Sequence, residues 1–222
     1  MCGISGAVGL KNISELLFEG IKNLEYRGYD SCGVGLIKKS GLLIKKDIGG
    51  VEEFYRKHNV LQYKSKVGIA HTRWATHGKV TKENTHPFTS LDGNFAVVHN
   101  GIISNYRPLK AQLQKEGFKF TSETDTEVLA HLLEKFYKRS RNVEKAFVKM
   151  LNLIEGTFAL AFISSYLPEQ IFCAKRESPL MLGIGDEIKF IGSDFNAFID
   201  HTKNAVILDD GEYAILSRDT YV

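Results

Sequence analysis

The sequence predicts an α+β fold in which layers of antiparallel sheet are flanked by helices. The late strands supply the first reason. Phe158, Leu160 and Phe162 alternate with Ala159, Ala161 and Ile163, so both strand faces are apolar and both must be covered. The helices supply the second, because they are grouped between two blocks of strands rather than interleaved singly. The third is that no internal repeat, low-complexity segment or Pro/Ser-rich linker divides the 222 residues, a length sufficient for a sizeable core.

In chain order, "CGISGAVG" reads as a small-residue strand. "NISELLFEGIKNLEYRG" reads as a helix capped by Asn12 with Glu15 three residues on; Ile13, Leu16, Leu17, Ile21 and Leu24 form its apolar stripe. "CGVGLIKK" and "LLIKKDIG" make a hairpin turning at Ser40-Gly41. "VEEFYRKHN" is a short helix and "SKVGIAHTRWATHG" a strand running into a loop. "NFAVVHNGIIS" is a strand that turns at Asn100-Gly101. Helices follow in "NYRPLKAQLQKEG", "TDTEVLAHLLEKFYKR" and "VEKAFVKMLNLI". Val128, Leu129, Leu132, Leu133 and Phe136 line one side of the second, with Asp125 in its first turn. From "GTFALAFIS" onward the text is nearly all strands: "QIFCAKR", "PLMLGIG", "EIKFIGS" and "AVILDDGEYAILS". It stops after a strand, at "SRDTYV", and reads as a domain of something longer.

Composition narrows the function classes. Apolar residues make up 43% and charged residues 25%, ordinary values for a globular protein. A net charge of +3 spread along the chain gives no nucleic-acid footprint, and the basic runs "LIKKSGLLIKK" and "KFYKRSR" read as solvated faces. No apolar run approaches the roughly 20 residues of a membrane helix, and the N-terminus lacks the basic segment of a secretory signal. Three widely spaced cysteines, Cys2, Cys32 and Cys173, argue against a disulfide framework and for a reducing, cytoplasmic setting.

The chemistry concentrates in a few short segments. Removal of Met1 would leave Cys2 with a free α-amine, whose pKa of about 7.7–8.0 lets it accept a proton near neutrality. One residue would then carry both nucleophile and base. The plainer reading is a buried cysteine early in an edge strand. In "VVHNGIIS", Asn100 and the Gly101 N–H could hold an oxyanion, or Asn-Gly could be an ordinary type I′ hairpin turn. In "HTRWATHG", Arg73 offers a fork for a carboxylate, Thr76 and His77 add hydrogen bonds, and Trp74 is the only tryptophan. Alternatively this is a surface loop with one buried ring. Asp125 could bind a cation or simply favour the helix dipole, and Glu123 competes with it. Four of the seven histidines, His71, His77, His86 and His99, fall between positions 71 and 99. No metal-binding spacing accompanies them, so no metal site is expected, and the local signature of a papain-like cysteine is absent.

Together "MCGISG", "LEYRGYDSCG", "AHTRWATHG", "HPF", "VVHNGIISN" and "SETDTEV", in this order, resemble one family over essentially the whole chain. They are similar to the glutamine amidotransferase (class II, N-terminal nucleophile) domain of the glutamine–fructose-6-phosphate aminotransferases, or glucosamine-6-phosphate synthases; "LEYRGYDS" is the most discriminating of these words. The resemblance implies one amidotransferase domain over residues 1–222, built as a four-layer α/β/β/α sandwich of the N-terminal-nucleophile hydrolase type with mostly antiparallel sheets. It implies that Cys2, freed of Met1, attacks the side-chain amide of L-glutamine. Asn100 and the Gly101 N–H would form the oxyanion hole. Arg73, with Thr76 and His77, would hold the substrate carboxylate and Asp125 its ammonium, while Trp74 would belong to a closing loop. Arg27 would order the segment near the nucleophile. The reaction needs no cofactor. In the family, sugar-isomerase domains follow and use the ammonia, within a homo-oligomer; they are absent from this chain, which should therefore hydrolyse glutamine without making the amino sugar. Cys32 stands where many relatives carry a small residue such as alanine, and reads as packing. Competing readings are an amidotransferase domain of another class II enzyme and a regulatory glutamine-binding module without turnover, to which a retained Met1 would point.

Overall fold

The computed structural model describes residues 2–74 and 79–222. The chain begins with a fully buried strand, β1 (Gly3–Gly9), followed by α1 (Ser14–Asn23) and a hairpin of β2 (Ser31–Lys38) and β3 (Gly41–Ile48). Next come α2 (Val51–His58), β4 (Val67–Arg73), β5 (Phe88–Thr89) and β6 (Phe95–Ile103). The helices α3 (Tyr106–Lys115), α4 (Glu127–Ser140) and α5 (Val143–Leu151) form the block expected between the strands. The remainder is β7 (Gly156–Ser164), β8 (Leu167–Arg176), β9 (Met181–Ile184), β10 (Ile188–Gly192), β11 (Ala205–Ile207) and β12 (Tyr213–Ser217).

These strands make two sheets, ordered β11-β9-β10-β1-β4-β2-β3 and β12-β8-β7-β6-β5, and every pairing between named strands is antiparallel. Strand alternation then sorts the side chains into three apolar layers. Val97, Leu160 and Phe162 lie under Leu129, Leu133 and Phe147 of α4 and α5. On the opposite face Val98, Ala161 and Ile163 meet Ile4, Val8 and Ile69 of the larger sheet. The far side of that sheet, through Ala7, Val34 and Ala70, is covered by Leu17, Ile21 and Phe54 of α1 and α2. The result is the four-layer α/β/β/α sandwich. The doubly apolar β7 sits where its sequence required, with a covered face on each side.

Cys32 and Cys173 are buried thiols within the apolar layers; burial raises both, Cys173 to about 12. Among the described residues, no helix is long and apolar enough to cross a membrane.

Four local readings need correction. Asn12 stands one residue before the N-cap position of α1, Ile13; its Oδ1 still accepts the Ser14 N–H, at 3.4 Å, and also takes the Ser65 N–H at 2.9 Å and the Ser14 hydroxyl at 3.1 Å, tying the helix start to the segment before β4. "AVILDDGEYAILS" is two strands, β11 and β12, which join opposite sheets. Asp125 lies outside α4, one residue before the N-cap Thr126, so the helix dipole does not account for it. The fourth concerns Asn100-Gly101. β6 runs straight through this pair, with Asn100 opposite Ala159, Gly101 opposite Phe158, and pairing continuing to Ile103.

Candidate active site

The site forms at one open end of the layer between the sheets, and strand alternation delivers its side chains there. On β4, Val67 and Ile69 point into that layer, so His71 and Arg73 follow on the same face. On β1, Ile4 and Val8 do the same, and Cys2 continues their series just before the strand. On β6, Ala96 and Val98 set the parity that brings Asn100 inward, whereas His99 faces the helices.

The Cys2 main chain is held from two sides. Its carbonyl accepts from Asn100 Nδ2 at 3.0 Å and from Arg27 Nε at 3.1 Å. Arg27 is itself buried and reaches Asp194 at 3.5 Å, which anchors the first residue of the site to the turn after β10. The Cys2 thiol accepts from the Trp74 N–H at 3.3 Å. Burial raises the Cys2 thiol above its ordinary value, against the Trp74 hydrogen bond and the nearby charges of Arg73 and Arg27. A neutral thiol is the resting form, so attack requires a base. Gly28 permits this packing: a Cβ there would lie 2.6 Å from the Arg73 carbonyl carbon and 2.7 Å from the Trp74 nitrogen.

Backbone direction in β6 explains Asn100 and Gly101 together. Ser104 donates to Glu155 O at 2.9 Å, so even-numbered residues of β6 bond to β7 and odd-numbered N–H groups point the other way. The Ile103 N–H on that free edge donates to Asp125 Oδ2 at 2.7 Å. The Gly101 N–H points to the same side, where it borders a cavity of about 570 Å³ lined also by Cys2, Arg73, Trp74, Asn100 and Asp125. An amide side chain and a backbone N–H beside a thiol are the parts of an oxyanion hole. Gly101 has φ +125°, and a Cβ would stand 2.1 Å from the Thr157 carbonyl oxygen. We expect Gly101→Ala to cost about 3 kcal/mol or more of stability, measured by denaturant unfolding; an unchanged midpoint would contradict this backbone geometry.

Arg73 and the acidic loop before α4 are coupled through a buried amide. Arg73 Nη1 donates to Lys79 O at 3.3 Å, and Asn84 Nδ2 donates to the same carbonyl at 3.1 Å. Asn84 Oδ1 in turn accepts the Glu123 N–H at 3.0 Å. Burial lowers the Arg73 guanidinium from its ordinary value, while the nearby charges of Asp30 and Asp125 oppose that shift. Glu123 and Asp125 both line the cavity, but only Asp125 is half-buried and fixed by a strand N–H; Glu123 is exposed. Trp74 is 44% exposed, its ring edge-on to Tyr29 at 5.6 Å.

The structure thus gathers Cys2, Asn100, Gly101, Arg73, Trp74 and Asp125 around one cavity. Thr76 and His77 lie outside the described residues. Sequence reading missed Asn84 and Thr126, and gave the histidines no role once a metal site was set aside. His71, His86 and His99 are instead buried and joined to the site residues. Their close spacing in the sequence was the available signal, although only the β4–β6 neighbourhood gives it meaning.

Two facing antiparallel sheets with helices outside, and a cysteine at the head of a central strand, define an amidotransferase of the N-terminal-nucleophile hydrolase type. The structure superposes on glutamine phosphoribosylpyrophosphate amidotransferase from B. subtilis with a TM-score of 0.83 at 27% identity, covering 100% of this chain and 48% of that one. A glutamine aminotransferase class-II domain protein from Silicibacter pomeroyi, at 14% identity and a TM-score of 0.65, shares the fold over 100% of this chain and 97% of its own. The family model described as "Glutamine amidotransferase domain" matches residues 71–200, and the chain belongs to that family. Within it, the chain is similar to glutamine–fructose-6-phosphate aminotransferases [isomerizing]. It is 45% identical to the one from Pyrococcus horikoshii and 46% to the one from Thermococcus kodakarensis over 100% of this chain, and 47% to the one from Aquifex aeolicus over 99%. In each case the chain spans 37% of the relative's length.

Proposed function

We propose that this chain is the glutaminase part of a glutamine–fructose-6-phosphate aminotransferase, hydrolysing L-glutamine to glutamate and ammonia through a thioester on Cys2. The observation that carries the reading is the convergence of a thiol, an oxyanion-hole pair, a guanidinium and a carboxylate on one cavity. With Met1 removed, the α-amine of Cys2 takes the thiol proton, and sulfur attacks the side-chain carbonyl carbon. The oxyanion is received by Asn100 Nδ2 and the Gly101 N–H. On collapse the C–N bond breaks, the amine returns the proton to the leaving nitrogen, and ammonia departs. Water, deprotonated by the same amine, then cleaves the thioester to glutamate and restores the thiol.

Arg73 takes the substrate α-carboxylate and Asp125 the α-ammonium, which together favour a zwitterionic amino acid over a ligand that carries only one of the two charges. Thr76 and His77 belong with Arg73 in this reading. Trp74, beside the thiol and partly exposed, would shield the reaction from water. Ammonia would pass to sugar-isomerase domains in the remaining length of the enzyme, assembled as a homo-oligomer in the cytoplasm; two buried reduced thiols, Cys32 and Cys173, suit that compartment. The higher identity to the fructose-6-phosphate enzymes than to the phosphoribosylpyrophosphate enzyme favours this acceptor.

The test is release of glutamate and ammonia from L-glutamine, with L-asparagine, one methylene shorter, as the comparison. Steady release from glutamine alone supports the reading; no release from protein beginning at Cys2 would overturn it. Arg73→Ala is expected to raise KM for glutamine by about 10- to 100-fold with a smaller effect on kcat, the scale of a lost charge-assisted hydrogen bond. An unchanged KM would remove Arg73 from carboxylate binding.

A further inference from the structure

The mechanism above leaves three buried histidines without a task. His71, His86 and His99 are all buried, and burial lowers each imidazole: His71 to about 3, His86 well below its ordinary value, and His99 against the pull of the Asp125 charge. All three are therefore neutral, each with a single ring proton.

Two of those protons converge on one hydroxyl. Thr126 Oγ1 lies 3.2 Å from His86 Nε2 and 3.0 Å from His99 Nδ1, and its own proton is directed to Asp125 Oδ1 at 3.4 Å. A hydroxyl has one proton and two lone pairs, and an ionised carboxylate can only accept. The Thr126 proton therefore belongs to Asp125, and both lone pairs take histidine N–H groups. That fixes His86 as its Nε2–H tautomer and His99 as its Nδ1–H tautomer. The chain of contacts continues to the other end of the site. The His86 and His71 rings stack at 4.0 Å, and His71 Nε2 meets Asn100 Oδ1 at 3.0 Å. Because the Cys2 carbonyl can only accept, Asn100 presents its Nδ2 there and its Oδ1 to His71, which donates.

We propose that Thr126 is a positioning residue for Asp125: its hydroxyl, oriented by His86 and His99, aims the Asp125 carboxylate at the α-ammonium of the substrate. The proposal deepens the glutaminase reading and rests on it. Thr126 is almost fully buried and, among the described residues, Asp125 keeps only the Ile103 N–H on its other oxygen, so without the hydroxyl the carboxylate can rotate about that single bond. Loss of the hydroxyl also takes an acceptor from two buried ring N–H groups. His99 also has the Thr157 carbonyl beside it, so among the described residues it is the His86 donor that is left without an acceptor, which ties the histidines to the same task.

The experiment is calorimetric binding in the Cys2→Ala background, with L-glutamine and with glutaramate, which keeps the carboxamide and carboxylate but has no α-ammonium. Thr126→Val is expected to weaken L-glutamine binding by about five- to tenfold, the scale of one ordinary hydrogen bond, and to leave glutaramate unchanged. Thr126→Ser, which keeps a hydroxyl, restores most of the loss. A merely structural role would weaken both ligands together; that result, or no change in either, overturns the proposal. If Thr126→Val fails to fold, His99→Leu and His99→Asn replace it. The leucine removes the Nδ1 donor and is expected to act selectively on glutamine, while the asparagine, whose Nδ2 supplies a donor near the same place, is not; equal constants for the two variants overturn the proposal. Turnover by the Cys2 protein separates this from the glutaminase reading. Selective loss of glutamine affinity in a protein that never turns over would retain the Thr126 assignment and remove the chemistry. Binding of neither ligand to the parent would overturn both.

Discussion

Cys2→Ala is expected to abolish glutamate release, by a factor on the order of 10⁵ or more, while leaving glutamine affinity close to that of the parent. The size follows from what is removed, since nucleophile and base act as one unit and losing either collapses the covalent route. Binding is expected to survive because Arg73 and Asp125, the charged anchors proposed for the substrate, stand on β4 and beside α4 and do not depend on the thiol. Structural damage should be small. The Cys2 carbonyl keeps both its donors, Asn100 and Arg27, and the thiol gives up only its contacts with the Trp74 main chain. Residual turnover near wild type would move the nucleophile elsewhere.

Asn100→Ala is expected to lower kcat by about 10²–10³, the range for losing one oxyanion-hole donor, with KM much less affected. The substitution removes one of two donors to the Cys2 carbonyl, and Arg27 Nε at 3.1 Å keeps the nucleophile in register. It also leaves the buried His71 Nε2 without its acceptor, which costs about 1–3 kcal/mol of stability. Steady-state kinetics and thermal unfolding together separate the two effects. A fall of less than tenfold in kcat, with the stability loss present, would leave the oxyanion to Gly101 and other donors.

The fold was legible largely because its driving force is periodic. In β7 both faces are apolar, and no arrangement of two layers covers both faces of a sheet that must also bury the inward faces of β1 and β4. The α4 stripe of Val128, Leu129, Leu132, Leu133 and Phe136 is buried as read. Its neighbours Glu127, His131, Glu134 and Lys135 are buried too, which periodicity does not announce because each also has a partner outside the helix. Glu127, for example, accepts from Thr121 and Ser122.

Asn100-Gly101 shows why local rules fail at the site. Asn-Gly signals a type I′ turn because both residues must adopt positive φ. Here Gly101 alone does so, and the strand continues, with the odd backbone conformation placing its N–H on the cavity edge. Asp125 fails in a related way. Its position before a helix made the dipole a sufficient explanation, whereas its carboxylate is held by the Ile103 N–H across the site. Neither contact has a sequence signature, since residues 103 and 125 meet only after β6 and α4 pack. What the sequence did carry was the set of short words that contain Cys2, Arg27, Arg73, Trp74, Asn100, Gly101 and Asp125, which line one cavity at the open end of the sandwich. Beyond the close spacing of the histidines, it gave no sign that Asn84, Thr126, His71, His86 and His99 would be hydrogen-bonded or stacked around that set.

The central claim is that the Cys2 α-amine is part of the chemistry, and it can be tested on two matched preparations. One begins at Cys2 and the other retains Met1, each verified by intact mass, and both are assayed for glutamate release under identical conditions with glutamine binding measured alongside. The account predicts steady turnover only from the protein beginning at Cys2. Equal turnover with Met1 in place would contradict it, because the amine would then be locked in a peptide bond and the proton would have to go to another base.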